Sequence, residues 1–91
     1  MARVNIPTML RPLVGDERVL VASGRTVREI ITEIDRRHPG FAAQLVDTET
    51  GELRRFVNVY VNDEDVRYLQ RLETPVDETD QISILPAVAG G

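Results

Sequence analysis

The clearest pattern in this chain is a period of two over residues 56–61, with valine at every second position. A period of two is typical of a half-buried strand, and it places three valines on one face and Phe56 and Tyr60 on the other. Residues 81–85 repeat the alternation, with two isoleucines on one side and Leu85 on the other. Both segments are therefore predicted to be strands, each with one face packed against the core.

Two more strands are predicted near the start of the chain. Residues 4–6 begin an alternating strand that we expect to run through Pro7 and to end near Pro12. Residues 18–22 form a second apolar run rich in valine. The segment between them, residues 13–17, contains a Gly-Asp pair and is predicted to be a hairpin turn.

A helix is predicted to begin at Thr26, because Thr26 and Glu29 have the spacing of a capping box. In that motif the threonine hydroxyl accepts from the Glu29 N–H, and the glutamate carboxylate reaches back to the Thr26 N–H. The helix is expected to run to about Arg37, before a Pro-Gly pair. Its apolar face recurs at helical spacing and consists of Val27, Ile30, Ile31 and Ile34.

The remaining elements are shorter. We expect a helical turn at residues 41–46, a polar turn at 62–65, an edge strand at 66–68 and an irregular connector at 69–79. The predicted order is two strands, a helix with a following turn, and three strands. Such an order is typical of an α+β roll, in which one main helix packs on one face of a mixed sheet.

Composition and charge limit the possible functions. The 91 residues are 42% hydrophobic and carry a net charge of −4, as expected for one soluble domain. A nucleic-acid binder needs a cationic surface, so we expect no nucleic acid partner. With no run of 18 apolar residues and no cleavable leader, we expect no membrane association and a cytoplasmic location.

Candidate catalytic groups are few. The chain has no cysteine, and all 11 basic residues are arginine, a bias that a GC-rich genome would also produce. Disulfides, thiolate metal sites and a sulfur nucleophile are thereby excluded. His38 is the only histidine, so a catalytic triad or a His-based metal site lacks support, and we expect it to cap the helix. The acidic run at residues 63–65 is too short for a calcium loop.

The most informative feature is the pair Gly90-Gly91, which follows the last predicted strand. Glycine lacks a Cβ, so such a segment can enter a narrow active site and present a carboxylate for chemistry. The alternative is a frayed terminus or a remnant of expression.

The element order and several motifs together resemble the ubiquitin-like sulfur carriers of the ThiS and MoaD type, which adopt the β-grasp fold. The motifs are a strand ending in Asn62, an acidic residue at Asp80, and a Pro-x-Val-x-Gly-Gly end that begins at Pro86. Nearly the whole chain takes part in the resemblance. It is strongest to the actinobacterial cysteine-biosynthesis carriers, the CysO subgroup. The family's usual Asp-Gly-Asp is Glu-Thr-Asp here, and its Pro-Pro is Pro86-Ala87.

The resemblance implies a β-grasp domain at residues 1–86 and a flexible tail at 87–91. It also implies that the chain is a protein substrate and not an enzyme. An E1-like enzyme would adenylate the Gly91 carboxylate with ATP and magnesium, and a sulfur donor would convert it to a thiocarboxylate. A PLP-dependent cysteine synthase that uses O-phosphoserine would accept the sulfur, and a JAMM-type zinc metalloprotease would release cysteine. No cofactor is expected on the chain itself.

Two sets of residues are expected to contact these enzymes. The resemblance assigns the tail to partner active sites, and that set comprises Pro86, Ala87, Val88, Ala89 and Gly90. Phe56, Tyr60 and Leu85 are expected to form a docking face, because exposed large apolar side chains mark interaction sites. The alternative is that the connector at residues 69–79 covers the two aromatic residues.

Four other functions stay open at this point. A MoaD-like small subunit of molybdopterin synthase and a thiamine-pathway carrier would use the same thiocarboxylate. A ubiquitin-like modifier would instead be conjugated through Gly91 to lysines of other proteins. A β-grasp binding module would not need the two glycines at all.

Overall fold

The computed structural model describes residues 1–86 of the chain. Over that range it contains five strands, two helices and three 3₁₀ turns. The strands are β1 (Ala2–Asn5), β2 (Val19–Ala22), β3 (Val57–Val61), β4 (Glu64–Asp65) and β5 (Gln81–Pro86). The helices are α1 (Val27–Arg37) and α2 (Phe41–Leu45), and the 3₁₀ turns span Thr8–Val14, Val66–Tyr68 and Arg71–Glu73.

The five strands form one mixed sheet in the order β2-β1-β5-β3-β4. The last strand, β5, lies in the centre, parallel to β1 and antiparallel to β3. Its residues Gln81 to Ser83 pair with β1, and all of its residues from Ile82 to Pro86 pair with β3. The chain therefore leaves the described structure from the central strand, at the end where β5 pairs with β3.

The core lies between one face of this sheet and α1. The period of two in β3 and β5 is confirmed, because the valines of β3 and the isoleucines of β5 are buried. The apolar face of α1 is buried as well, which confirms the predicted helical spacing. Phe41 and Leu45 of α2 close one end of the core and are fully buried. One sheet face is thus covered, and the other is open.

The start of α1 is capped as the sequence predicts, with one change of partner. The Thr26 hydroxyl accepts from the Glu29 N–H at 3.2 Å, but the Glu29 carboxylate accepts from the Arg25 N–H at 2.9 Å. The predicted return bond to the Thr26 N–H is wrong. Backbone bonds from Val27 to Thr74 and from Val76 to Arg25 hold this segment extended, and they present the Arg25 N–H to the carboxylate.

The predicted first strand is too long. β1 ends at Asn5, and Thr8–Val14 is a 3₁₀ segment that contains Pro12. Pro7 has no N–H to continue a ladder, and its carbonyl instead accepts from the Leu10 N–H at 3.0 Å. Burial of Leu10 and Val14 stabilises the turn, so apolar packing overrides the alternating pattern.

The predicted edge strand at residues 66–68 is also wrong. Asn62 and Asp63 both have positive φ and form a two-residue turn, so that β4 pairs immediately after it. The Asp65 carboxylate accepts from the Arg67 N–H at 2.9 Å, which caps the 3₁₀ turn Val66–Tyr68 and ends the strand. The edge strand therefore comes two residues earlier and is only two residues long.

Candidate functional site

The two terminal glycines follow the end of β5 along the chain. Pro86 is the last residue of β5 and pairs with Val57 at the start of β3. Beyond Pro86 the predicted tail consists of Ala87, Val88, Ala89, Gly90 and Gly91. These five residues lie outside the range that the structure describes. The site is therefore built from the residues that surround the end of β5.

Two of the motif residues have a structural role at the opposite end of β5. The Asn62 amide donates to the Asp80 carboxylate at 2.8 Å, and its carbonyl accepts from the Gln81 N–H at 2.9 Å. The other Asp80 oxygen accepts from the Asp77 N–H at 2.7 Å. Asn62 also has a φ of 50°, a conformation that asparagine tolerates better than most residues. The asparagine and the aspartate therefore tie the β3–β4 turn to the start of β5.

The open sheet face carries the three residues that were predicted to dock. Phe56 is 56% exposed and Leu85 is 47% exposed, whereas Tyr60 is half-buried. Phe56 precedes β3 instead of belonging to it. Tyr60 and Leu85 line one crevice of about 360 Å³, and Phe56 and Leu85 line a second, narrower one. Leu85 thus joins the three residues into one surface, which we call the docking face.

The connector at residues 69–79 does not line either crevice. Its 3₁₀ turn Arg71–Glu73 packs against α1, and Leu72 and Val76 are buried in the core. The two crevices are instead bordered by Pro7, which lines both, and by Arg11, which lines the larger. Neither residue was predicted to lie at the site, because both fall in the segment predicted as a strand and not as a turn beside the sheet.

The other candidate groups have ordinary roles. The His38 N–H donates to the Ile34 carbonyl at 2.8 Å, and His38 is the C-cap of α1 as predicted. Within residues 1–86, no group of three or more His, Cys, Asp or Glu side chains could hold a metal ion. Over the same range, no helix has the length and apolar character needed to span a bilayer.

Comparisons with known proteins agree with this geometry. The ThiS family model matches residues 4–91. The sulfur carrier protein CysO of Mycobacterium tuberculosis is 46% identical over 89 residues, which cover 97% of this chain and 96% of that protein. Small archaeal modifier protein 3 of Haloferax volcanii is 32% identical, with 89% of this chain and 88% of that protein covered.

Two solved structures are similar over almost all of the chain. Mycobacterium tuberculosis CysO superposes with a TM-score of 0.93 at 43% identity, covering 97% of this chain and 100% of that one. The BexX/CysO complex of Amycolatopsis orientalis contains a chain with a TM-score of 0.92 at 52% identity, and both chains are covered completely. The predicted β-grasp fold is thereby confirmed.

Proposed function

The chain belongs to the ThiS family, and from that premise we propose that it carries sulfur as a thiocarboxylate on Gly91. The predicted class, a ubiquitin-like sulfur carrier and not an enzyme, is confirmed by the similarity to the mycobacterial carrier. One observation supports the position of the sulfur above all others. The family match runs to Gly91, five residues beyond the end of the central strand of the sheet.

The proposed chemistry needs a leaving group on a carboxylate that is otherwise a poor electrophile. A carboxylate oxygen of Gly91 attacks the α-phosphorus of ATP, and pyrophosphate leaves. A sulfide equivalent then attacks the acyl carbon, the bond to AMP breaks, and a thiocarboxylate remains. ATP and magnesium belong to the activating enzyme in this scheme. The carrier contributes only a reacting carboxylate and the segment that delivers it.

The proposed tail, residues 87–91, has sufficient reach for this role. Five extended residues span at most about 17 Å, which allows the carboxylate to enter a buried site while the domain remains outside. Pro86 has a fixed φ and pairs with Val57, so the direction of departure from the sheet is defined by β5. The glycines at 90 and 91 would pass a constriction that a side chain would block.

The docking face is proposed as the surface that holds the domain against its partner enzymes. Phe56 and Leu85 are large apolar groups near the end of β5 and are about half exposed. Truncating a well-packed residue at the centre of a protein interface can cost more than about 1 kcal/mol of binding free energy. Leu85→Ala is therefore expected to weaken binding to the activating enzyme, and Val21→Ala is the matched control. Val21 is also 47% exposed but lies in the edge strand β2.

The partners are proposed from the same family membership. A CysO chain from Amycolatopsis orientalis has been crystallised as a complex with BexX. For the present chain we propose an E1-like activating enzyme, a PLP-dependent cysteine synthase and a zinc metalloprotease that releases cysteine. In the synthase, PLP would supply the electrophilic acceptor for the sulfur.

A second candidate function is supported by a separate observation. The chain is 32% identical to an archaeal small modifier protein, and the SAMP1 structure from Methanosarcina acetivorans superposes with a TM-score of 0.83 at 28% identity. A modifier would use the same adenylate but would end in an isopeptide bond to a lysine. Because this chain has no lysine of its own, chain-to-chain conjugates through lysine side chains are excluded, and adducts would have to form on other proteins.

The deciding experiment incubates the chain with ATP, sulfide and the E1-like enzyme from its source, followed by a thiol-alkylating reagent. The chain has no cysteine, so an alkylated product that maps to Gly91 by mass spectrometry reports a thiocarboxylate. A variant that lacks Gly90 and Gly91 is the control and should remain unlabelled. Absence of label on the intact chain, with an enzyme that consumes ATP, would refute the carrier. Isopeptide adducts in cells would then favour the modifier.

A further inference from the structure

A cluster of arginines lies beside the docking face, on a chain whose net charge is −4. Arg55, Arg67 and Arg71 line a shallow crevice of about 400 Å³. Glu52 and Leu53 complete its lining, so three positive charges face one negative charge. Since the chain as a whole is acidic, this crevice is a local reversal of the sign of its surface charge. We call it the arginine crevice.

The side chains of the arginine crevice are held in place by the fold. Arg67 is half-buried, and its guanidinium donates to the Asn58 side-chain carbonyl and to the Arg54 backbone carbonyl, each at 2.8 Å. Both acceptors are neutral, and within residues 1–86 Arg67 has no ion pair with a carboxylate. Among the described residues its charge is therefore held in position by neutral acceptors.

Arg71 adopts a conformation that arginine rarely occupies. Its φ is 54°, in the left-handed region, which is unfavourable for a residue other than glycine. The buried Thr74 stabilises this turn, since its hydroxyl donates to the Arg71 carbonyl at 2.6 Å and accepts from the Gln70 N–H at 3.0 Å. Backbone strain that is maintained by a buried polar group often accompanies function. Here the strained turn places the Arg71 guanidinium 3.1 Å from Glu52, at the rim of the arginine crevice.

The arginine crevice borders the docking face. Arg55 directly precedes Phe56 in the chain. Asn58, which accepts from Arg67, is opposite Leu85 in the β3–β5 register, and both side chains lie on the open face. An exposed apolar centre with charged residues at its border is the usual arrangement of a protein interface. A protein that covers Phe56 and Leu85 to receive the tail would therefore come next to the arginine crevice.

We propose that the arginine crevice binds an acidic segment of the E1-like activating enzyme, at the entrance to its active site. The proposal rests on the proposed function, since it assumes that a partner takes up residues 87–91. A small anion is a poorer fit, because Arg71 and Glu52 are 69% and 63% exposed and water screens their charges. A protein surface excludes that water and also meets the neighbouring apolar residues. Complementary charge of this kind accelerates association and fixes orientation.

The test measures binding of the E1-like activating enzyme to four variants as a function of salt concentration. Arg55→Gln removes one exposed charge, and Arg55→Glu reverses it without removing any hydrogen bond described for that side chain. Arg18→Gln and Arg18→Glu make identical changes at an exposed position just before β2, at the opposite edge of the sheet. At low ionic strength we expect Arg55→Glu to raise the Kd about 5- to 10-fold, mainly through slower association. Arg55→Gln should have a smaller effect, and both should weaken the salt dependence.

Each outcome decides the proposal. It is overturned if Arg55→Glu binds like the wild type, or if Arg18→Glu is equally impaired, which would indicate a general effect of net charge. It is also overturned if sedimentation detects a dimer that Arg55→Glu dissociates, because a second acidic copy of this chain would then be the occupant. Thiocarboxylate formation on the wild-type chain is followed in parallel. Its failure refutes the proposed function, whereas normal formation with unchanged binding of Arg55→Glu refutes only the arginine crevice.

Discussion

Asn62 offers the sharpest test of how the fold holds the central strand. Replacement by alanine removes two hydrogen bonds, to Asp80 and to the Gln81 N–H, and leaves a residue with a Cβ at a φ of 50°. Asn62 is exposed, so each bond is expected to contribute only about 0.5–1 kcal/mol. The left-handed conformation costs alanine about 1 kcal/mol more. Asn62→Ala should therefore lower the free energy of unfolding by about 2–3 kcal/mol.

Asn62→Gly is the matched variant, because glycine loses the same two bonds but accepts the positive φ. Asn62→Gly should therefore lower the free energy of unfolding by about 1 kcal/mol less than Asn62→Ala does. Urea denaturation followed by circular dichroism measures both, and unchanged m values would indicate that the unfolding transition itself is the same. Equal losses in the two variants would refute the conformational part of the reasoning. A negligible loss in Asn62→Gly would refute the part that rests on the hydrogen bonds.

Three further predictions concern α1 and its surroundings. Thr26→Ala should lower the free energy of unfolding by about 1 kcal/mol, whereas Thr26→Ser keeps the capping oxygen and should lose much less in the same urea titration. Gly24→Ala should lower the melting temperature measured by calorimetry, because a Cβ there would lie 2.9 Å from the Glu29 Cβ and from the Ile30 backbone nitrogen. The hydrogen bond from the Arg36 guanidinium holds the pKa of Glu33 below its ordinary value of 4.5. This pair therefore stabilises the fold above that pH, and the stability difference between wild type and Glu33→Gln should shrink as the pH falls below it.

The parts of the fold that were predictable from sequence are those where a local pattern and the packing agree. The period of two over residues 56–61 satisfies a local preference for a strand and also buries the valine face of β3. The threonine cap likewise satisfies a local preference at the start of α1, whose apolar face is buried. The strand predicted through residues 7–12 failed because Leu10 and Val14 gain more from burial in a 3₁₀ turn. Local pattern cannot anticipate that gain, which depends on where α2 lies.

The candidate site divides in the same way. The exposure of Phe56 and Leu85 was predictable, since their faces follow from the period of two. The arginine crevice was not predictable, because its residues come from segments up to 19 positions apart in the chain. The turn at Arg71 and the hydrogen bonds of Arg67 bring these segments together. Positive φ at an arginine has no sequence signal of the kind that Asn-Gly provides for a hairpin. The assignments on Ala87 to Gly91 lie beyond the described residues and stay predictions.

The central place of β5 has a mechanical consequence for a protein that is handled by its end. A pull on the chain beyond Pro86, directed along β5, acts parallel to the strand and loads its bonds to β1 and β3 together, in shear. A terminal strand at the edge of the sheet would have one neighbour only, and a sideways pull would peel its bonds apart one after another. Because β5 pairs with β1 over Gln81 to Ser83 and with β3 over Ile82 to Pro86, we expect the domain to stay folded under a pull that would unfold a sheet with its terminal strand at the edge.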